Sequence, residues 1–257
     1  MNPFTVLHCT GPKVAEFLQK QLTCDVLALQ EKQWQWCAYC SQKGRVFASG
    51  WLVRPEQETY HWIVSHDIAH SVMERLNHYG QFNRIQTSIS ALPAYISTAQ
   101  ALSFTNNQYS FPLSQAFSLC VGGTHHPHPQ WQDQLILLDL HLITQKTQDK
   151  FTAHMLNFQK GSAISFTKGC YLGQEIIART QHLGQVKRQS YCLKVPHPIE
   201  IDSEVYDNTD KKIGNITACG THFASAVLTT PTRPLQTQAV LVEVVETKSP
   251  LECSADS

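Results

Sequence analysis

A lysine, a cysteine and a glutamate fall within the eight residues Lys168-Gly169-Cys170-Tyr171-Leu172-Gly173-Gln174-Glu175, which groups a cation, a nucleophile and a carboxylate acceptor. Ile164-Ser165-Phe166 reads as the end of a strand, Lys168-Gly169 as a turn, and Gly173 to Arg179 as the start of a short helix. Cys170 would then stand in a strand-to-helix loop. A helix N-terminus and a neighbouring lysine both favour the thiolate there, and the competing reading is a buried, inert thiol. Glu175, in the helix's first turn, offers two acceptor oxygens to a flat heterocycle that presents a ring N–H beside an amino group. It would equally complement the helix dipole. Arg179, four residues on, either joins that site or pairs with Glu175 along the helix.

The flanking pattern says what must hold this segment. Thr10-Gly11-Pro12 resembles a helix start, followed by Val14, Phe17, Leu18 and Leu22 at helical spacing. Trp34 to Cys40, Arg45 to Val53 and Thr59 to Val64 are rich in aromatic and β-branched residues and are separated by turns, which predicts an antiparallel meander. Ile68, Val72, Leu76 and Tyr79 form a helical stripe ending near Gly80, and Ile85, Thr87 and Ile89 alternate as a strand. Residues 97–130 are weakly patterned; Leu135 to Leu142 is an apolar run, and Phe151, Met155 and Phe158 predict a short amphipathic helix. After Arg188 the pattern is β only: Tyr191, Leu193 and Val195 alternate, and Lys211 to Cys219, His222 to Thr229 and Gln238 to Val245 follow as short strands, which predicts a small barrel or sandwich. Lys248 to Ser257 reads as a loose tail.

Composition narrows the function. The 257 residues are 42% hydrophobic, with 20 basic and 20 acidic side chains. A neutral chain lacks the basic excess that grips a phosphate backbone, so no direct nucleic-acid binding is expected. No apolar run approaches a membrane span and Met1 to Thr10 is not a secretory signal, which makes the expected location cytoplasmic. Nine cysteines with no regular framework read mostly as buried thiols in a reducing compartment. Cys37 and Cys40 have C-x-x-C spacing, but on a strand they face opposite sides, and no second pair completes a zinc site; no metal ligands are assigned. His125-His126-Pro127-His128-Pro129 reads as a solvated loop. Trp34, Trp36, Trp51 and Trp62 fall on proposed strands and are explained first as core or cavity lining.

The stretch Ile164 to Arg188, ISFTKGCYLGQEIIARTQHLGQVKR, resembles the signature of the YgfZ family, K-G-C-[FY]-x-G-Q-E followed by A-R and later K-R. Looser likeness runs through Gly11 to Val26, Lys43-Gly44-Arg45 and Phe151 to Phe158. The resemblance implies an α+β, GcvT-like three-part architecture. A folate-binding part, 1–33 plus 115–188, would carry an inserted ferredoxin-like α+β domain at 34–114 and be followed by a small β-barrel at 189–247. It implies tetrahydrofolate or a derivative as cofactor. It implies a role in assembling or maintaining iron–sulfur proteins, which would be the partners, with tRNA modification supported indirectly. Cys170 and Lys168 are then the reactive pair, and Glu175, Gln174, Tyr171, Gly173, Gly169 and Arg179 the pterin-binding set. Arg45 or Arg188 would meet the glutamate tail. The alternative is a one-carbon transferase related to the aminomethyltransferases. Those enzymes carry an aspartate at a place that aligns near Val72; no acid stands at the aligned place, with Asp67 and Glu74 nearby, which argues against glycine cleavage.

Overall fold

The computed structural model describes residues 2–98, 104–105, 108–123, 127–229, 235–237 and 240–247. Its first layer is an eight-stranded sheet. The strands are β1 (Phe4–Thr10), β2 (Gln33–Cys40), β3 (Val46–Glu56), β4 (Thr59–Ser65), β5 (Gln86–Ser97), β6 (Phe104–Thr105), β7 (Gln108–Pro112) and β8 (Ser118–Val121), in the spatial order β2-β3-β4-β1-β5-β8-β7-β6. The meander expected from β2 to β4 is present, with Trp36 opposite Trp51 and Leu52 opposite Trp62. Helix α1 (Val14–Gln21) turns Val14, Phe17 and Leu18 inward, and α2 (Ala69–Gly80) turns Val72 and Leu76 inward, as their 3.6-residue spacing requires. Asn77 fixes α2 to the sheet: its Nδ2 donates to Thr87 O at 2.8 Å and its Oδ1 accepts from Thr87 N at 2.7 Å.

β1 pairs with β4 on one side and β5 on the other. The division expected between residues 33 and 34 therefore does not separate two sheets, since the buried strand Phe4–Thr10 is an interior member of the same sheet as Thr59–Ser65 and Gln86–Ser97. The strands Gln108–Pro112 and Ser118–Val121 arise in the stretch that carried little pattern; both are largely buried and pair with each other.

The second layer is a closed six-stranded barrel of β9 (Gln189–Lys194), β10 (Glu204–Tyr206), β11 (Lys212–Cys219), β12 (Phe223–Leu228), β13 (Leu235–Thr237) and β14 (Val240–Val245) in the order β10-β11-β12-β9-β14-β13, closed where Tyr206 pairs with Gln236. Closure leaves no free edge, and Leu193, Val205, Ile216, Leu228 and Leu235 fill the interior as a core of its own. The α+β architecture with a closing barrel is the one the sequence predicts. His125, His126 and the tail from Lys248 lie outside the described residues.

Between the layers runs α3 (Trp131–Leu137), and α4 (Gln174–Leu183) follows the signature segment with only Ile177 buried. The apolar run at Leu135 to Leu142 is thus only partly helical, ending at Asp139, whose φ of 55° leaves the helical region. Residues 151–158 form tight turns instead of the expected helix, with a 3₁₀ turn at Phe158–Lys160. The reason is competition for backbone groups: Phe151 O accepts from Val46 N at 2.8 Å, and Thr152 bridges Arg45, so strand β3 takes the bonds a helix would use. Ile164 to Phe166 is likewise bent chain rather than strand, with Ser165 N donating to Thr23 O at 2.9 Å and Ser165 Oγ accepting from Lys168 N at 3.3 Å.

One carboxylate joins α3 to the barrel. Asp133 is buried and accepts from His222 N (3.1 Å), Phe223 N (3.1 Å) and His222 Nδ1 (3.1 Å) at the β11–β12 turn. Replacing Asp133 by Ala leaves those donors facing an apolar gap, and urea unfolding is expected to show a loss of about 2–4 kcal/mol; a change within 0.5 kcal/mol would show that the turn is held by other contacts.

Candidate functional site

The signature segment is positioned by an ammonium. Lys168 is 8% exposed, and its Nζ donates to three backbone carbonyls, Gln19 O (2.6 Å), Leu22 O (2.7 Å) and Cys24 O (2.6 Å). The same ammonium lies 4.8 Å from the Tyr171 ring centroid, a cation–π contact. Burial lowers the Lys168 pKa, while Cys24, Cys37 and Asp25 act against that lowering. Its hydrogen bonds thus tie the signature to the chain that follows α1, a different job from the one expected of it beside Cys170.

Two glycines then bring the family-like motifs together. Gly173 has φ 84° and caps α4; a Cβ there would sit 2.6 Å from Ser41 O and 3.1 Å from Cys40 Cβ. Gly44 has φ 67°, and its Cβ would sit 2.8 Å from Ile176 Cγ2. The Lys43-Gly44-Arg45 turn therefore packs directly against the start of α4, an approach that only glycine permits at both positions. Tyr171 is buried with no hydrogen-bond partner for its hydroxyl, and burial, with Cys40 adding to it, pushes its pKa up. Gln174 opens the helix and is partly buried. Gly169, Cys170, Glu175 and Arg179 are exposed, and Cys170 is a free thiol. Among the described residues no ion pair joins Glu175 to Arg179.

None of these signature residues lines the cleft that opens beside β2, whose empty space, open solvent at its mouth included, is about 590 Å³. Trp34, Trp36 and Phe158 form apolar walls, Asp139 and Asn157 supply polar groups, and Lys160 stands exposed at the rim. Arg45 and Arg188, expected near a ligand tail, do not line it; the Arg188 guanidinium donates to Val227 O at 3.2 Å.

Two residues in the cleft adopt a backbone that side chains disfavour. Asp139 has φ 55° and Asn157 φ 59°, both left-handed. They are bonded to each other, Asn157 Nδ2 donating to Asp139 Oδ2 at 2.9 Å, and the same amide nitrogen donates to Ser190 O of the barrel at 3.1 Å. His141 Nε2 meets Asp139 Oδ1 at 2.8 Å. Burial alone would raise Asp139; the His141 and Asn157 hydrogen bonds and the Lys160 charge outweigh it and hold the carboxyl below its ordinary value. Asn157 Oδ1 and Trp36 Nε1 are buried without a partner. Sequence reasoning missed Asp139, Asn157 and Lys160, since neither positive-φ position is marked by glycine.

With the geometry in view, the class of fold follows from a solved structure. The aminomethyltransferase T of the glycine cleavage system from Bartonella henselae superposes with a TM-score of 0.70 at 12% identity, covering 95% of this chain and 83% of that one, so the fold is GcvT-like. No protein-family model matches the chain. Curated relatives do. A protein named tRNA-modifying protein YgfZ from Colwellia psychrerythraea is 26% identical over 251 residues, covering 83% of this chain and 76% of its own. Its namesake from Sodalis glossinidius is 26% identical over 281 aligned residues, covering 89% and 83%. An uncharacterized protein from Haemophilus influenzae is 27% identical over 230 residues, covering 85% and 82%. These matches run far beyond Ile164 to Arg188 and bear out the resemblance to the YgfZ family. No helix among the described residues is long and apolar enough to cross a membrane.

Substitution separates the architectural positions of the signature from the open one. Gly173→Ala strains the backbone and drives a methyl into Ser41 O, and Lys168→Met leaves three carbonyls without a donor. Each is expected to lower stability by about 2–4 kcal/mol in chemical denaturation. At Gly169 a Cβ would meet nothing within 4 Å, so Gly169→Ala is expected to stay within about 0.5 kcal/mol of the parent. Equal effects at Gly169 and Gly173 would contradict this division.

Proposed function

We propose that the chain binds a reduced folate in the cleft beside β2 and, in that form, assists the assembly or maintenance of iron–sulfur proteins on which tRNA modification depends. The observation that carries the folate half is a cleft with aromatic walls, Trp34, Trp36 and Phe158, that holds an ionised, largely buried carboxylate, Asp139. A pterin head presents ring N–H and amino donors on one edge of a flat ring. Asp139 answers the donors, and Trp34 and Phe158 cover the ring faces. Lys160, at the rim, suits the carboxylates of a glutamate tail. When bound, the reduced pterin supplies nitrogen atoms able to carry a one-carbon unit. The chain's own part is to orient that ring and shield it from water.

In this reading the pterin-facing carboxylate is Asp139, in place of Glu175, which stands exposed on α4 and outside the cleft. The signature loop keeps a separate role: it presents the Cys170 thiol to solvent on a base fixed by Lys168 and Gly173, open to a partner protein. The iron–sulfur role rests on the family resemblance. The tRNA link rests on that resemblance and on the name of the relatives. An aminomethyltransferase activity has no specific observation in its favour beyond the fold.

Trp34 and Trp36 make the proposal directly measurable. Titrating the protein with tetrahydrofolate under reducing conditions is expected to give a saturable change in tryptophan fluorescence. Asp139→Asn is expected to weaken binding at least tenfold, about 1.4 kcal/mol or more, with Glu175→Gln unchanged. Absence of saturable binding, or a loss on Glu175→Gln with Asp139→Asn silent, would overturn the assignment.

A further inference from the structure

Cys37 and Cys40 share C-x-x-C spacing on β2, but the neighbour of Cys37 comes from a different segment. The chain after α1 runs antiparallel to β2: Leu22 bridges Tyr39, Thr23 N donates to Ala38 O at 2.9 Å, and Ala38 N donates to Thr23 Oγ1 at 2.9 Å. Continued by one residue, that register sets Cys24 opposite Cys37. Residues directly opposite each other on antiparallel chains have Cα atoms about 4.5–5.5 Å apart. That spacing falls within the range of about 4.4–6.8 Å that a disulfide spans. Both residues are fully buried, and the neighbouring Cys24 thiol adds to the burial that raises the Cys37 pKa.

We infer that Cys24 and Cys37 are a redox-active dithiol, a cross-strand pair that closes to a disulfide under a peroxide oxidant. The inference is independent of folate binding. Lys168 belongs to the pair's surroundings: its ammonium holds Cys24 O at 2.6 Å, and its charge acts on both sulfurs. In the reaction one sulfur gives up its proton and displaces hydroxide from hydrogen peroxide, forming a sulfenic acid. The second sulfur attacks the first and expels the hydroxyl as water. Two S–H bonds and one O–O bond are broken, one S–S bond is formed, and the peroxide is reduced to two water molecules. Burial raises the Cys37 thiol well above its ordinary value and Lys168 opposes this, so closure is slow beside oxidation of the exposed Cys170. The product would brace the contact that Lys168 already holds, between the end of α1 and the strand that carries Trp34 and Trp36.

The experiment is peptide mapping of the intact chain. The native protein is treated with hydrogen peroxide, quenched, denatured, alkylated with N-ethylmaleimide and digested. Fragmentation then distinguishes Cys37 from Cys40. The expected result is a cross-link between the Cys24 and Cys37 peptides that dithiothreitol reverses, with Cys37 recovered as an alkylated thiol when Cys24→Ser is treated alike. Recovery of both Cys24 and Cys37 as alkylated thiols from the unaltered chain, at a dose that oxidises Cys170, would overturn the inference. So would a cross-link from either residue to any other cysteine.

Discussion

The hydrogen bond between Asn157 and Asp139 is the constraint on which the cleft depends. Each residue is held in a left-handed backbone that costs on the order of 1–3 kcal/mol, and neither conformation would persist on local preference. Asn157 Nδ2 pays for both by donating at once to Asp139 and to Ser190 O of the barrel. The two sharp bends and the cleft between them are thus consequences of one amide, which also ties them to the barrel. With His141 on the other carboxylate oxygen, Asp139 remains ionised though buried.

A second constraint organises the signature. A buried lysine ordinarily needs a carboxylate; here three carbonyls of the Gln19 to Cys24 stretch take that place. The turn at Lys43 to Arg45 and the start of α4 then meet through Gly44 and Gly173. Much of what makes the K-G-C-x-x-G-Q-E pattern recognisable is this packing requirement, as Lys168, Tyr171 and Gly173 are buried or sterically fixed. Cys170 and Glu175 are different, because no contact of the fold accounts for an exposed thiol and an unpaired exposed carboxylate there.

The sequence discloses what is local and periodic. The meander of β2 to β4, the inward stripes of α1 and α2, the start of α4 at Gly173 and the β-only end all follow from spacing within one segment. Legibility fails where a distant strand decides the outcome. Phe151 to Phe158 has helical spacing, but β3 claims its backbone. Phe4 to Thr10, to which no element is assigned from its pattern, is an interior strand. The cleft was illegible for the same reason: its walls come from β2, from the bend after α3 and from the turn at Asn157, and no single window holds them. The signature drew attention to Glu175 because motif residues are contiguous, whereas Asp139 becomes visible only through the carboxylate's burial and its partners.

The most direct test of the account is a crystal structure of the protein with tetrahydrofolate bound. The pterin is expected between Trp34 and Phe158, with its amino and ring N–H groups within hydrogen-bond distance of Asp139. A pterin seated instead against Cys170 and Glu175, with the cleft beside β2 empty, would contradict it.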